Sequence, residues 1–193
     1  AGPAFGLARG FERFEEVQLR KGHRAAAVTG SFVDWLASRP DGRRFFAYVH
    51  FREPHFPYDP LPPYDTLFGP DGPLGQGPRS SPGWYGEVNE GQRAISKAEL
   101  AHFLRLYDGN LAYADAQVGQ LRQALERRGL LESTVLIVAS DHGESFYEHR
   151  WLGHNQQVFE ESTRVPLVLR LPGAVAKGTR VRGLVDLLDL APT

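Results

Sequence analysis

The spacing of hydrophobic and polar positions predicts two amphipathic helices. Apolar side chains recur every three or four residues from Arg24 to Ser38, and again over a longer stretch from about Ser96 to Arg128. The second stretch opens with Ser96 followed by Glu99, an S-x-x-E pattern typical of a capping box, and Gly129 is its expected end. Both segments should pack one face against the remainder of the fold.

Short apolar runs predict the β-strands. The runs Thr134–Ala139 and Val165–Leu171 are almost continuously apolar, which is typical of strands that are buried on both faces. Phe45–Phe51 is β-branched and aromatic and ends near a proline, so it is a third predicted strand. A weaker strand is predicted over 181–185, with a helix starting within 186–192. This order of helices and apolar strands indicates a layered α/β domain.

The segment 57–83 interrupts this pattern with 8 prolines and 5 glycines in 27 residues. Such a composition is expected to exclude regular structure, and the segment is long for a simple connector. Two interpretations stay open at this point, a surface excursion or linker and a flap beside a functional site.

Composition narrows the possible functions. The 193 residues carry 22 Lys plus Arg against 23 Asp plus Glu, a net charge of −1, which provides no overall field for nucleic acid or anionic membranes. There is no cysteine, which excludes disulfides, thiolate metal sites and a thiol nucleophile within these residues. No apolar run approaches membrane-spanning length, so no membrane segment is predicted. Because the chain starts at Ala1 and lacks Met, we expect a processed or internal piece of a longer protein.

Candidate chemistry concentrates after the predicted strand 134–139. Asp141 and His142 follow that strand directly, where ligands collect in open α/β sheets, and Gly143 allows a sharp turn. One carboxylate and one imidazole are plausible ligands of one metal ion. The alternative is that Asp141 caps a turn and His142 is merely exposed. His149 and His154 follow within the same 13-residue window that His142 opens.

His55 is a second candidate, because it follows the predicted strand 45–51 and lies between two prolines. If both strands run parallel in one sheet, His55 and His142 emerge at the same edge. The alternative is a histidine packed in a loop. Three further histidines, His23, His50 and His102, lack such a context and are expected to be structural or exposed.

Six sequence blocks, in order, resemble the sulfatase family of the alkaline-phosphatase-like superfamily across residues 40–193. They are HFREPHFPY, YDGNLAYADAQVGQLRQAL, TVLIVASDHGE, EHRWLGHN, FEESTRVPLVLR-LPG and VDLLDLAPT. The resemblance implies an αβα sandwich with a mixed, largely parallel central sheet, here incomplete at both ends. It also implies hydrolysis of a small-molecule or carbohydrate sulfate ester at a divalent cation, calcium first with manganese or zinc as alternatives, by a formylglycine made from Cys or Ser.

Family roles carry over at matching positions. Asp141 and His142 match a pair of metal ligands, in which Asn often replaces the His. His55 matches the histidine that contacts the sulfate or the leaving group, and His154 matches the Lys or His that binds the same anion. His149 lies at an EHG-like position, here EHR, and is expected at most to support a ligand.

The family's paired metal aspartates and its C-x-P-x-R nucleophile block have no counterpart here. We therefore expect residues 1–193 to be the second half of a sulfatase catalytic domain, with the insertion 57–83, and to be inactive alone. Alternatives are a phosphodiesterase, a phosphonate monoester hydrolase or a phosphoalcohol transferase of the same superfamily, or a non-catalytic relative. Localisation is left unassigned, although the family makes a periplasmic or secreted protein plausible.

Overall fold

The computed structural model describes residues 6–17, 24–69, 82–154 and 156–191. Within these ranges, four helices and two strands follow one another, with one 3₁₀ turn before the first strand, Leu131–Ser133, and another after the second, Leu187–Asp189. In order they are α1 (Arg24–Ser38), α2 (Pro82–Asn89), α3 (Lys97–Arg127), β1 (Leu136–Ala139), α4 (Glu160–Thr163) and β2 (Leu167–Arg170). No helix in the described part of the chain is long and apolar enough to cross a membrane.

Both predicted helices are confirmed. The capping box of α3 forms in full: Glu99 N donates to Ser96 Oγ over 3.2 Å, and Ser96 N donates to the Glu99 carboxylate over 2.8 Å. Gly129 follows the helix with a φ of +66°, a left-handed conformation that glycine adopts without strain. Helix α1 packs against the carboxyl-terminal half of α3 around Leu36 and Leu125.

The sheet differs from the prediction. Among the described residues it has two strands, β1 and β2, which are antiparallel with Leu136 opposite Arg170 and Ala139 opposite Leu167, so the expected largely parallel sheet is absent from this part. Phe45–Phe51 joins no ladder here, and neither does 181–185, while the helix expected within 186–192 is the short 3₁₀ turn Leu187–Asp189. Strand assignment requires a hydrogen-bonding neighbour, which an apolar run by itself does not supply.

The expectation that the strands are buried on both faces is also wrong for the described residues. Burial alternates along β1, with Ile137 42% exposed, and Val168 of β2 is 61% exposed. An apolar side chain is buried only when another layer covers it, and no described element lies over this face. The coarse expectation of mixed helix and strand holds.

A second core, rich in aromatic residues, is separate from the contact between α1 and α3. Tyr58, Trp84, Val88, Phe103 and Leu152 are buried together, and the Trp84 and Phe103 rings stack with centroids 4.6 Å apart. This core joins α2, α3 and the loop after β1.

The Pro/Gly-rich segment contributes to that core. Residues 57–69 of this segment supply Tyr58 to the core and pack on α3. At this contact Gly109 lacks a Cβ, which would overlap the Tyr64 carbonyl and press on Pro60. Regular structure was not expected anywhere in 57–83, yet α2 begins within it, at Pro82. Proline at a helix start has no hydrogen bond to lose, which reconciles the composition with the helix. Residues 70–81 lie outside the described residues.

Candidate functional site

A tight turn after β1 carries Asp141 and His142. Its hydrogen bonds are local: Ser140 Oγ donates to the His142 carbonyl over 2.6 Å, and His142 N donates to Asp141 Oδ1 over 3.1 Å. Gly143 N donates to the Ser162 carbonyl of α4 over 2.8 Å, and a Cβ on Gly143 would overlap the Glu161 carbonyl. Only glycine therefore allows α4 to close on this turn.

Three of the histidines singled out from the sequence lie together. The His142 and His154 rings stack with centroids 3.8 Å apart and 23° between their planes. The His55 ring lies 5.2 Å from that of His154 and 6.3 Å from that of His142. His55 thus lies near His142, although it arrives on a turn, in which its N–H donates to the Arg52 carbonyl, and not from the parallel strand on which the expectation was based.

Each of the three rings uses its Nδ1 to contact a protein oxygen. These contacts are 2.5 Å from His55 to the Phe56 carbonyl, 2.7 Å from His142 to the Gly143 carbonyl, and 3.1 Å from His154 to Glu144 Oε1. A carbonyl oxygen only accepts, so Nδ1 carries the proton in His55 and His142, and a carboxylate imposes the same on His154. Nε2 is then the ring nitrogen left for a ligand or substrate.

Burial lowers the pKa of His55 below its ordinary value, and the positive charges of Arg52 and His154 act in the same direction. The Phe56 carbonyl and Glu144 oppose that shift. Because an ordinary histidine pKa already lies below 7, the His55 ring is mainly neutral at neutral pH.

Asp141 and His142 are suited to share a metal ion. Asp141 Oδ1 and His142 Nε2 lie 3.8 Å apart, and both side chains are accessible, with exposures of 75% and 35%. A carboxylate oxygen that faces an imidazole lone pair at this distance favours a cation between them. The described ranges hold no group of three or more His, Asp or Glu side chains that could complete such a site. The pair therefore fits part of a metal site.

A cavity of about 500 Å³ opens beside the histidines. Its lining includes two of the three, His55 and His154, together with the aromatic side chains of Phe56, Tyr85 and Trp151. The arrangement places two imidazoles at one end of an aromatic cleft, which can hold an oxyanion at the imidazoles and an organic group along the rings.

The remaining histidines lie apart from this group. His149 stacks on Phe159 with centroids 3.7 Å apart, and its Nδ1 contacts Glu161 Oε1 at 2.5 Å, so it ties its loop to α4. His50 stands beside Tyr48, and His102 is buried in α3, in agreement with the structural or surface role expected for both. His23 lies outside the described residues.

Sequence reasoning missed two residues that shape the site, Glu144 and Asn89. Glu144 is the last residue of the S-D-H-G-E run, so its proximity to Asp141 was visible, but its contact with His154 was not. Asn89 ends α2, and its side chain bonds both backbone polar groups of Leu152, with Nδ2 donating to the carbonyl over 2.9 Å and Oδ1 accepting from the N–H over 2.8 Å. No sequence signal marks Asn89.

Comparisons with known proteins agree on one family. The family model described as Sulfatase matches residues 8–193. An arylsulfatase of Clostridium perfringens is 28% identical over 182 residues, which cover 86% of this chain and 36% of that protein. Human arylsulfatase K is 37% identical over 99 residues, 51% of this chain and 18% of that protein.

A phosphonate monoester hydrolase of Agrobacterium radiobacter has a similar crystal structure, with a TM-score of 0.58 and 25% identity over 77% of this chain and 33% of that chain. The chain thus spans about a third, or less, of the length of these proteins. Because the family model covers nearly all of its residues, the chain belongs to the sulfatase family.

Proposed function

We propose that the protein to which this chain belongs hydrolyses sulfate esters, and that residues 1–193 are the second half of its catalytic domain, with 57–83 as an insertion. The observation that carries the proposal is the grouping of the Asp141–His142 pair with the rings of His55 and His154 at one end of an aromatic cleft. These groups together suit a tetrahedral anion attached to an organic alcohol.

Asp141 Oδ1 and His142 Nε2 would hold a divalent cation. When bound, such an ion offsets the negative charge of the sulfuryl oxygens. Calcium is the first candidate, and the imidazole ligand also suits manganese or zinc. The hydrogen bond from His142 Nδ1 to the Gly143 carbonyl orients the ring for this role.

His55 and His154 would bind the sulfate group when their rings carry a proton on Nε2 as well as on Nδ1, and one of them would pass the Nε2 proton to the leaving oxygen, a role suited to imidazole near neutral pH. The Phe56, Tyr85 and Trp151 side chains would pack against the alcohol part, which is that of a small molecule or carbohydrate. The nucleophile expected in the family is a formylglycine made from Cys or Ser, and the 193 residues contain no cysteine.

A second candidate function is the hydrolysis of phosphonate monoesters or phosphodiesters. The structural similarity to the Agrobacterium phosphonate monoester hydrolase favours it. A phosphoryl or phosphonyl centre presents the same tetrahedral oxygens to His55 and His154, so these residues serve either reaction.

The test is a turnover assay of the full-length protein on three aryl esters: a sulfate, a bis-aryl phosphate and a phosphonate monoester. We expect the sulfate to give the highest kcat/KM, whereas a higher value for either phosphorus ester would favour the second candidate. Absence of turnover on all three would contradict both and support a non-catalytic relative.

Variants of two histidines test the site itself. His154→Ala should lower kcat by about 10²-fold or more, the range of a lost proton donor or anion ligand. His149→Ala is the matched control, because His149 lies outside the cluster, against Phe159 and Glu161, and it should keep near-wild-type turnover. An unchanged rate in His154→Ala would remove this residue from the site.

A further inference from the structure

We propose that Glu144 is a positioning residue that sets the ring orientation of His154 and keeps the proton of that ring on Nδ1. This inference rests on the proposed function for its consequence, because His154 is the group through which Glu144 would act. The positioning itself is a matter of geometry, and a measurement on the His154 ring can test it without an assay of turnover.

Both carboxylate oxygens of Glu144 are engaged in the interior. The side chain is only 5% exposed, Oε1 accepts from His154 Nδ1 over 3.1 Å, and Oε2 accepts from the Tyr58 hydroxyl over 2.9 Å. The Tyr58 hydroxyl also lies 3.2 Å from that of Tyr85. A buried carboxylate with a donor on each oxygen has no freedom to turn without losing a hydrogen bond.

The Tyr58 hydroxyl is always available as a hydrogen-bond donor to Glu144. Burial raises the pKa of Tyr58 and of Tyr85 well above the ordinary phenol value, so both hydroxyls stay protonated. Tyr58 is itself held in the aromatic core. Tyr58 therefore holds one carboxylate oxygen of Glu144 on the core side, and the other oxygen faces His154.

His154 differs from the other two site histidines in what orients it. His55 and His142 donate to the carbonyl of the next residue, Phe56 and Gly143, so their ring positions are settled locally. His154 instead contacts a side chain ten residues away in the sequence. Stacking on His142 limits the plane of the His154 ring, whereas the hydrogen bond to Glu144 decides which edge of the ring faces inward and which nitrogen carries the proton.

The backbone that carries His154 is held without Glu144. Asn89 binds both polar groups of Leu152, and Gly153 N donates to the Ser145 carbonyl over 3.0 Å, with Gly153 at a φ of +89°. These contacts fix the backbone beside His154 but do not restrain rotation of its side chain. Loss of Glu144 should therefore release the ring and leave the loop in place.

The direct test is a measurement of the His154 ring by nitrogen NMR in full-length protein with labelled histidine, at a pH where imidazole is neutral. We expect the Nδ1–H form in the wild type and a mixture of both ring forms in Glu144→Ala. Glu144→Gln should retain most of the Nδ1–H form, since its amide oxygen can accept the same hydrogen bond. A wild-type ring in the Nε2–H form, or an unchanged ring in Glu144→Ala, would overturn the inference.

A kinetic cycle tests the consequence. Glu144→Ala should lower kcat by about 10²-fold, the effect of a misplaced catalytic group, with a much smaller change in KM. In a His154→Ala background the same substitution should change kcat by less than about twofold, because two residues that act as one unit are not additive. Glu87→Gln, an exposed position on α2, is the matched control and should leave kcat unchanged.

Equal losses in both backgrounds would show that Glu144 acts independently of His154 and would overturn the inference. Thermal unfolding of each variant checks that the protein is folded. Wild-type protein without turnover would contradict the proposed function, and the ring measurement would still decide the role of Glu144.

Discussion

Two regions of the molecule, the aromatic core beside the site and the β1–β2 sheet, differ in how deeply their apolar side chains are buried. On the site side, Tyr58 and Trp84 are 1% and 3% exposed and are surrounded by other aromatic side chains. On the sheet side, β1 and β2 are just as apolar in sequence, yet Ile137 and Val168 remain largely exposed among the described residues. Segments of similar hydrophobicity are therefore buried to very different extents.

This difference shows where the stability of the described chain resides. Free energy from burial follows the apolar area removed from water, so the aromatic core around Tyr58 should dominate the unfolding free energy and the β1–β2 pair should contribute little. The same core holds Glu144 and the cleft wall, which couples the site to stability. Three substitutions test this contrast, and a fourth, at the amino-terminal cap of α3, serves as a reference outside both regions.

The largest effect is expected at Trp84. Trp84→Ala removes a buried ring that stacks on Phe103 and should cost about 4 kcal/mol of unfolding free energy. Ile137→Ala, on the exposed sheet face, should cost about 1 kcal/mol or less. Denaturant unfolding of both variants in the full-length protein makes the comparison. Equal costs would contradict the contrast and show that Ile137 is covered in the whole protein.

Gly143→Ala should come next, at about 3 kcal/mol, because the new methyl group overlaps the Glu161 carbonyl and α4 must move away. Gly119→Ala is the matched control: nothing lies within 4 Å of its added Cβ in α3, and helix propensity should make it stabilising by about 0.5 kcal/mol. Thermal melts give both values. A tolerated alanine at Gly143 would show that the turn does not depend on this close approach.

Tyr58→Phe should cost about 2 kcal/mol, since it leaves a buried oxygen of Glu144 without its donor while the ring stays in place. Tyr48→Phe is the control, because the Tyr48 ring is largely exposed and its change should stay within about 0.5 kcal/mol. Chemical denaturation measures the two differences. If they were equal, the polar network under the site would contribute nothing to stability.

The smallest effect is expected at the capping box of α3, away from both regions. Glu99→Ala should cost about 1 kcal/mol at neutral pH. The Ser96 backbone N–H, the Ser96 side chain and Arg93 all lower the pKa of Glu99 below its usual 4.5. Its contribution is thus complete above that value and is lost as the pH falls through the lower, folded-state pKa.

Unfolding of wild type and Glu99→Ala at neutral and acidic pH should show the difference shrinking in acid. Glu126→Ala, at an exposed i,i+4 pair with Arg122, is the control and should cost less than about 0.5 kcal/mol. A difference that grew in acid would mean that the carboxylate destabilises the cap.

The helices were predictable, and the candidate histidines could be singled out, because their signals are local. A period of three to four residues, a capping box and a terminal glycine act within one helix, so α1 and α3 appear where the sequence indicates them. The signal for Asp141 and His142, which is their position directly after a predicted strand, was also local. His55 was a candidate from its position after a predicted strand and His154 from the family blocks, whereas their distances from His142 needed the fold.

Sequence by itself determined which residues could form helices, which turn could carry a metal-binding pair, and to which family the chain belongs. Tertiary structure alone decided that β1 and β2 pair antiparallel, that one of their faces stays exposed among the described residues, that Glu144 contacts His154, and that Asn89 binds the backbone of Leu152. The reason is physical: strand pairing, burial and side-chain hydrogen bonds join residues far apart in the chain, and an apolar run or a carboxylate looks the same in sequence whatever lies opposite it.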